Sequence, residues 1–272
     1  MKASARRELS SPRHPLLKRL RRALERGELT PDGCCAVEGV HMVEEALRSP
    51  AEVVALIAAR SAERRLASFE AASNGRVRSY VVPDRVFRSL AQTETPQGIA
   101  ALVRLREVEW EEPLARPQAL AVVLAGVQDP GNLGTILRAL EAFGGAACLL
   151  GPNTVSPFNA KAVRASAGSL FRVPVGRNLK AEKIFSLCRQ HGLKTVALAP
   201  RASKSLAEID LRRPVAFLIG REASGLPEEF EARAEVAARI PLAAGVDSLN
   251  AAMAASLALY EAARQRGFGQ AP

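Results

Sequence analysis

The chain has 272 residues, of which 48% are hydrophobic and 24% are charged, a composition that indicates one large globular domain or two and excludes a disordered or collagen-like chain. Lys and Arg number 38 against 28 Asp and Glu, and the formal net charge of +10 favours a polyanionic partner, either nucleic acid or an anionic membrane surface. No apolar run reaches the roughly 18 residues that a membrane-spanning helix needs, and the basic first residues precede no apolar stretch, so we expect a cytoplasmic protein without a secretory signal.

The first 30 residues are the most basic part of the chain, with nine Lys or Arg residues against three Glu. Leu17, Leu20 and Leu24 recur at helical spacing there, with basic residues on the other faces. This pattern predicts a basic amphipathic helix over about residues 14–28. Such a helix either contacts nucleic-acid phosphates or presents a solvated surface, and the segment alone does not decide between the two.

Short apolar runs then alternate with helical patterns as far as about residue 105. The runs CCAVEG, EVVALIAA, VRSYVV and GIAALVRL predict strands, with helices around 39–48, around 61–72 and after Pro83. Alternation of this kind predicts a sheet with helices packed on it. An acidic, proline-containing stretch, REVEWEEPLARPQ at 106–118, interrupts the pattern. We therefore expect an N-terminal domain over 1–105, a linker over 106–118 and a second domain over 119–272.

The second domain opens with ALAVVLAG, an almost entirely apolar run that is typical of a strand buried on both faces of a parallel sheet. Further predicted strands are AACLLG, TVALAP, VAFLIG and VAARIP. Helical patterns fall between or after them, around 132–143, 159–168, 180–191 and 247–266. The predicted fold class is α/β, with a parallel-sheet C-terminal domain and a smaller α/β N-terminal domain.

The cysteines and histidines do not predict a metal centre. Cys34, Cys35, Cys148 and Cys188 form no C-x-x-C pair, and the three histidines lie at scattered positions. We expect the cysteines to be small buried residues in a reducing compartment.

Three segments of the second domain share one form, a buried strand followed at once by a loop of Gly, Pro and small polar residues. Because ligands of open α/β sheets bind at the carboxyl ends of the strands, three such loops can line one site. In the first, AGVQDPGNLGTILRALEAFG, Asp129 and Pro130 predict a turn and a helix begins near Asn132. An Asn at this position is explained equally well by capping of the helix as by contact with a ligand. Arg138 is long enough to reach back over the preceding turns toward the loop.

The second segment, VAFLIGREASGLPEEF, places Glu222 between Gly220 and Gly225 directly after a strand. Glu222 is either close to a ligand or an ordinary acidic residue at a helix start. In the third, IPLAAGVDSLNAAMAASLALYEAARQ, Asp247 or Ser248 is expected to cap a helix. The small residues of that helix allow close approach of a cofactor or of another backbone, or they form a tightly packed core helix.

Taken in order, DPGNLGTILRA, IGREASGL and IPLAAGVDSLNAA resemble the three motifs of the SpoU-type RNA 2′-O-ribose methyltransferases, within the superfamily of knotted methyltransferases. The resemblance covers about residues 119–266. SPRHPLLKRLRRAL, VEGVHMVEEAL and TETPQGIAALV resemble the substrate-binding domain of the same family, although His14 stands where such proteins often carry Asn.

The resemblance implies transfer of a methyl group from S-adenosyl-L-methionine to a ribose 2′-hydroxyl of RNA, with ribosomal RNA as the expected target. It further implies a deep trefoil knot in the C-terminal domain, a homodimer joined through that domain, and chemistry without a metal. General topology rules argue against knots, so the knot is expected from the resemblance alone.

The resemblance also assigns roles to residues on the RNA side of the site. Arg138 would be either a general base or an electrostatic clamp on the phosphate beside the ribose, and we favour the clamp because an arginine side chain stays protonated at the working pH of an enzyme. Asn132 would orient the hydroxyl or the neighbouring phosphate, and Glu222 would orient Arg138 or the hydroxyl. Ser248 and Asn250 would complete this side of the site.

On the cofactor side, the resemblance implies a pocket of backbone groups that read adenine and apolar side chains that pack on it. Its expected residues are Leu198, Ala199, Pro200, Gly220, Ile240, Leu242 and Leu249.

Three other functions are alternatives to this one. The first is methylation of transfer RNA. The second is a non-catalytic RNA-binding relative, which loss of Arg138 or Asn250 would have indicated, and both are present. The third is a nucleotide-binding enzyme of the Rossmann type, which would carry G-x-G-x-x-G after its first strand, and GVQDPGNLG does not match that motif.

Overall fold

A computed structural model describes residues 6–73, 77–222 and 224–268. The chain divides into two compact units, the first formed by Met1–Glu107 with Ser156–Arg172 and the second by Val108–Val155 with Val173–Pro272. Across the described ranges, no helix combines the length and the apolar character that crossing a membrane requires.

Strands and helices of the described residues are numbered here in chain order. The strands are β1 (Arg7–Glu8), β2 (Cys34–Glu38), β3 (Glu52–Ala59), β4 (Arg78–Val82), β5 (Ile99–Arg104), β6 (Leu120–Leu124), β7 (Ala147–Leu150), β8 (Val175–Gly176), β9 (Lys194–Leu198), β10 (Lys204–Ser205), β11 (Val215–Ile219) and β12 (Val236–Arg239). The α-helices are α1 (Pro15–Arg26), α2 (Val40–Arg48), α3 (Glu63–Ala72), α4 (Asp84–Arg88), α5 (Glu111–Leu114), α6 (Pro130–Ala142), α7 (Ala160–Ala165), α8 (Ala181–Gln190), α9 (Glu228–Glu231) and α10 (Ala251–Gln265).

The first unit is built on a five-stranded mixed sheet with the order β1-β4-β3-β5-β2. The pairs β1–β4 and β4–β3 are parallel, and β5 runs antiparallel to both β3 and β2. The four strands predicted from apolar runs are all present. The two-residue β1 was not predicted, because it is too short to show an alternating pattern.

The predicted basic helix is present as α1, somewhat shorter than expected. His14 caps it by accepting a hydrogen bond from the backbone N–H of Leu16, and Gly27 ends it in the left-handed conformation at φ 63°. The leucines of the helical repeat are buried, whereas Lys18, Arg22 and Arg26, spaced four residues apart, are exposed. The helix therefore packs its apolar face on the unit and presents a basic stripe to solvent.

Residues 156–172 group with the first unit, although their place in the chain is between β7 and β8 of the second sheet. Arg172 donates to Glu45 at 2.8 Å, and a Cβ on Gly27 would lie 2.7 Å from the Cα of Asn159. This grouping was not predicted, since the expected boundary assigns the whole of 119–272 to the second domain. Contacts between residues so far apart in sequence leave no local signal.

The second unit is built on a seven-stranded sheet with the order β10-β12-β9-β11-β6-β7-β8, in which every pair is parallel. The parallel α/β sheet predicted for this part of the chain is confirmed. All residues of β6 and β11 are buried, as expected for strands covered on both faces. Leu218 of β11 packs in a core cluster with Ile184, Leu149 and Phe230.

Part of the stretch expected to be a linker is folded into the second unit. It contains α5, where Leu114 is buried, and Trp110 lies so close to Gly176 that a Cβ on the glycine would be 2.5 Å from the ring. Pro113 lies in the first turn of α5, where a proline is compatible with a helix. The prolines therefore mark a short helix here rather than an extended connection.

The close approach of α1 to residues 156–172 gives a test by substitution. We expect Gly27→Ala to destabilise the protein by at least about 1 kcal/mol more than Gly33→Ala, measured by urea unfolding. Both glycines have positive φ, 63° and 77°, but a Cβ on Gly33 meets nothing within 4 Å. Equal losses of stability in the two variants would show that backbone strain alone destabilises them and would contradict the contact with Asn159.

Candidate active site

The loops after β6, β11 and β12 carry the three sequence motifs. Since the strands are parallel, their carboxyl ends lie at one edge of the sheet. In the register of the sheet, Ile219 at the end of β11 pairs with Leu124 at the end of β6. The first two loops therefore leave the sheet side by side.

The loop after β6 runs into α6, which begins with Pro130. Asp129 is the N-cap, and its side chain accepts a hydrogen bond from the backbone N–H of Asn132 at 2.8 Å. The helix was expected to begin near Asn132 and in fact begins two residues earlier, because Asp129 caps it and proline suits its first turn. The side chain of Asn132 is consequently not used as the cap.

The loop after β12 ends at α10, and Asn250 is the N-cap of that helix. Its Oδ1 accepts hydrogen bonds from the backbone N–H groups of Ala252 at 2.9 Å and Met253 at 3.3 Å. The prediction that Asp247 or Ser248 would cap this helix is wrong, because the chain stays non-helical up to Asn250 and both residues are exposed in the loop.

A chain of two side-chain hydrogen bonds links the three motifs. Asn132 Nδ2 donates to Glu222 Oε1 at 2.6 Å, and Asn250 Nδ2 donates to Asn132 Oδ1 at 3.0 Å. Each end of the Asn132 amide thus has a partner of the matching kind, which defines the orientation of the group. Asn132 is half-buried and the other two residues are exposed, so a ligand has access to this network.

The loop after β11 is a narrow hairpin that presents Glu222. Arg221 and Gly225 exchange backbone hydrogen bonds of 2.9 Å in both directions, and Gly225 has a φ of 71°. A Cβ on Gly220 would lie 2.1 Å from the carbonyl carbon of Gly225. Position 220 therefore requires glycine, because a side chain would force the hairpin open.

Arg138 and Ser248 remain outside the hydrogen-bonded network. Both side chains are exposed, and neither makes a hydrogen bond or an ion pair within the part of the chain that the structure describes. Glu222 bonds to Asn132, so the suggested contact between Glu222 and Arg138 is not formed there. The guanidinium of Arg138 is left available to an external anion.

The residues expected on the cofactor side lie at the same edge of the sheet. Leu198 ends β9, Gly220 follows β11, and Ile240 follows β12. Gly220 is buried and Pro200 is exposed. The half-buried members of the set are Leu198, Ala199, Ile240, Leu242 and Leu249.

Two arginines that we did not predict as site residues contact these loops. Arg239 donates from Nη1 to the carbonyl of Ala202 at 2.8 Å and also to that of Ser203, which ties the loop after β9 to the end of β12. Arg221 lies against Gly126, where a Cβ would be 2.7 Å from its Nε. A positive charge near the end of a strand was the only available signal in the sequence, and it does not reveal which groups the arginine contacts.

The cysteines take no part in this site. Burial raises the pKa values of the Cys35 and Cys148 thiols to about 12, so both are neutral near pH 7 and poor nucleophiles. Among the described residues, no group of three or more His, Cys, Asp or Glu side chains is arranged to hold a metal ion.

Comparison with known proteins agrees with the geometry. Residues 119–260 match the model of the SpoU rRNA Methylase family, and residues 14–101 match that of an MRM3-like substrate binding domain. An uncharacterized tRNA/rRNA methyltransferase of Synechocystis is 32% identical, covering 97% of this chain and 96% of that protein. The 23S rRNA (guanosine(2553)-2′-O)-methyltransferase RlmP of Bacillus subtilis is 31% identical, covering 93% of this chain and 98% of that protein.

A solved structure shows the same fold over nearly the whole chain. The AdoMet-bound rRNA methyltransferase from Sinorhizobium meliloti superposes with a TM-score of 0.81 at 30% identity, covering 95% of this chain and 97% of that one. The expectation of an RNA methyltransferase that uses S-adenosylmethionine is confirmed by these relatives. With more than half of its length matching the family model, the chain belongs to the SpoU rRNA methylase family.

Proposed function

We propose that the chain transfers a methyl group from S-adenosylmethionine to a ribose 2′-hydroxyl and that ribosomal RNA is its substrate. The observation that carries the proposal is the hydrogen-bonded chain from Glu222 through Asn132 to Asn250, which joins the three motif loops at one edge of the sheet. The relatives from Bacillus subtilis and Sinorhizobium meliloti support the choice of substrate, since both are named as rRNA methyltransferases.

The loops at this edge fit the cofactor. Gly220 offers backbone without a side chain, and the half-buried Leu198, Ile240, Leu242 and Leu249 offer apolar surface of the kind that packs on an adenine ring. Ala199 and Pro200 continue this lining in the loop that Arg239 holds. When bound, S-adenosylmethionine supplies a methyl group on a positively charged sulfur.

Glu222 would position the hydroxyl that accepts the methyl group. A ribose hydroxyl is a weak nucleophile until it loses its proton, so the site has to orient it and favour that loss. One carboxylate oxygen of Glu222 accepts from Asn132, and the other has no partner among the described residues. The second oxygen can accept a hydrogen bond from the substrate, which favours orientation of the hydroxyl over orientation of Arg138.

Arg138 would hold the phosphate beside the reacting ribose. An exposed guanidinium without a protein partner suits bidentate contact with phosphate, and its charge would stabilise the oxyanion that develops as the hydroxyl loses its proton. Ser248 lies exposed in the loop before α10 and would donate to the same stretch of RNA.

Residues 1–105 would form the RNA-binding domain, with α1 as its main contact. Lys18, Arg22 and Arg26 form an exposed stripe that has no carboxylate partner within the described chain, whereas Arg19 pairs with Asp32 at 3.0 Å. The stripe is therefore available to phosphates, which favours RNA contact over a merely solvated surface. A protein that acts on ribosomal RNA would work in the cytoplasm, which is the compartment that we propose.

The C-terminal segment would thread through a loop to form the trefoil knot. β12 lies beyond β9 in the sheet, yet the following helix α10 packs against α6, so residues 240–250 cross back over the ends of β9 and β11. Arg266, just after α10, donates to the carbonyls of Leu211 and Arg213, both in the connection between β9 and β11. These contacts support passage of the segment through that connection.

A homodimer would form through the outer face of α10. Met253, Leu257 and Tyr260 are 57%, 42% and 45% exposed and are spaced as one stripe of the helix. Tyr260 also contacts the rings of Phe143 and Phe268, at centroid distances of 5.9 and 5.4 Å. A contiguous apolar patch of this kind is typical of a protein interface.

The role of Arg138 is tested by two substitutions. We expect Arg138→Ala and Arg138→Lys each to lower methyl transfer to RNA by about 100-fold, because a lysine point charge does not replace a bidentate guanidinium. Affinity for S-adenosylmethionine, measured by calorimetry, should stay within about 2-fold, since Arg138 belongs to the RNA side. Arg116→Ala removes another exposed arginine of the second unit and should leave turnover unchanged. Near-normal turnover of Arg138→Lys would eliminate the bidentate clamp.

The network through Asn132 is tested by a nearly isosteric change. Asn132→Asp removes the donor to Glu222 and opposes two carboxylates, so we expect a loss of turnover of about 100-fold or more. Gln118→Glu adds the same charge at an exposed position just before β6, at the opposite edge of the sheet, and should have no effect. If the two variants methylate RNA equally well, the proposed role of the network is wrong.

The basic stripe is tested by the salt dependence of RNA binding. Replacing Lys18, Arg22 and Arg26 with Gln should reduce the slope of log affinity against log salt by about 2, at roughly 0.7 per lost phosphate contact with single-stranded RNA. The matched control removes three paired arginines of the first unit and should leave the slope nearly unchanged; its substitutions are Arg48→Gln, Arg60→Gln and Arg104→Gln. An unaltered slope in the stripe variant would show that α1 is a solvated surface and does not contact RNA phosphates.

The dimer is tested by light scattering at micromolar concentration. We expect twice the mass of the 29.0 kDa chain, and Leu257→Glu should give the mass of one chain because it places charges in an apolar interface. Lys183→Glu, a charge change on the exposed surface of α8, serves as the control. A single-chain mass for the unaltered protein, in a preparation that still methylates RNA, would show that the dimer is unnecessary.

A further inference from the structure

A second concave site lies at the opposite edge of the sheet from the candidate active site. A cavity of about 660 Å³ opens where β9 begins at Lys194, beside Pro214 just before β11 and Glu235 just before β12. The same three strands lead at their other ends to the cofactor-side loops. At about 3.3 Å per residue, the length of β9 separates the two sites by about 13 Å. The cavity is therefore distinct from the methyl-transfer site.

The floor of the cavity is apolar. Phe185, Cys188 and Leu193 line it, and all three are buried. Burial, reinforced by the nearby Glu235 carboxylate, raises the pKa of the Cys188 thiol to about 12, so this group is neutral near pH 7. The floor thus offers apolar contact and no nucleophile, which suits a ligand that is held rather than transformed.

The rim of the cavity carries an excess of positive charge. Arg189 at the end of α8, Lys194 at the start of β9 and Arg213 in the loop before β11 all line the opening. None of these three side chains makes a hydrogen bond or an ion pair with another described residue. Arg189 and Arg213 are exposed and Lys194 is half-buried. Three cations around one opening, none of them held in an ion pair, form a site for an anion.

The remaining charged groups of the lining already have partners. Arg233 pairs with Glu182 at 3.5 Å and lies over the ring of Phe185, with its Cζ 5.5 Å from the centroid. The two carboxylates of the lining are also engaged. Asp210 is bound by Arg212 at 2.9 Å, and Glu235 accepts from the backbone N–H of Thr195 at 3.1 Å and from its hydroxyl at 3.3 Å. Arg213 also acts on the Asp210 carboxylate, and Glu235 keeps its negative charge, but the four cations of the lining outnumber its two carboxylates.

We propose that this cavity binds a phosphorylated ribonucleotide, with the phosphate on Arg189, Lys194 and Arg213 and the base against the apolar floor. Inorganic phosphate alone would leave most of the volume and the floor uncovered. An aliphatic anion would leave unused the face of the Arg233 guanidinium that is not turned toward Phe185, on which a base can stack. A nucleotide within an RNA strand and a free nucleotide share this chemistry, and the experiment below distinguishes these two sources.

The test is photo-crosslinking of the full-length protein, because it reports on the position of the bound nucleotide. The probes are 4-thiouridine monophosphate and a hexauridylate that carries one 4-thiouridine, and saturating S-adenosylhomocysteine occupies the cofactor pocket. Mass spectrometry of the digested protein locates the modified peptide. We expect a crosslink within residues 185–195, which contain the floor and part of the rim.

Charge-matched variants decide whether the rim binds the probe. Arg189→Gln with Arg213→Gln should reduce the crosslink about 10-fold or more, because charge-assisted contacts to phosphate are lost. Arg189→Lys with Arg213→Lys keeps the charge and should retain much of it. The control variant, Arg116→Gln with Lys183→Gln, loses the same charge at two exposed residues outside the cavity lining and should crosslink normally.

Each outcome has one meaning. Crosslinking by hexauridylate alone identifies the ligand as a nucleotide of an RNA strand, and crosslinking by 4-thiouridine monophosphate, with or without hexauridylate, shows that a free nucleotide is sufficient. The absence of a crosslink within 185–195 from either probe, or an equal yield from the pocket and control variants, would overturn the proposal. Because the readout is the position of the crosslink, failure of RNA methylation by the protein would not alter it.

Discussion

The hydrogen bond from Asn132 to Glu222 is the contact on which the candidate site depends. The two residues are 90 positions apart, and the 2.6 Å bond brings the first turn of α6 to the hairpin after β11. This approach is possible because β6 and β11 are parallel neighbours whose last residues are paired in register. The side-chain nitrogen of Asn250 donates to the other end of the same amide, while its side-chain oxygen caps α10. One amide thus couples two helix starts and a hairpin.

Much of the fold could be predicted from hydrophobic pattern alone. β6 and β11 are continuous apolar runs, and both are central strands of the parallel sheet. The repeat of Leu17, Leu20 and Leu24 predicted α1 to within about two residues at each end. The order of the three motifs, with the parallel-sheet rule, predicted that their loops would meet at one edge.

The remainder depends on contacts that leave no local pattern. Helix starts were misplaced because Asp129, Asn132, Ser248 and Asn250 are all good capping residues, and the choice among them is made by the path of the loop. The grouping of residues 156–172 with the first unit rests on contacts such as Glu45 with Arg172, which no periodicity reveals. Composition also does not reveal which arginines form ion pairs. Pairs such as Arg104 with Glu52 neutralise part of the positive charge that the sequence suggests is available to a partner.

The most direct test of the central claim is a map of ribose 2′-O-methyl groups in ribosomal RNA from cells that contain or lack this protein. We expect one such methyl group to disappear when the protein is absent. The unaltered chain should restore the methyl group, and the Arg138→Ala variant should not. A ribosomal RNA whose 2′-O-methyl groups are identical in the two strains would contradict the account.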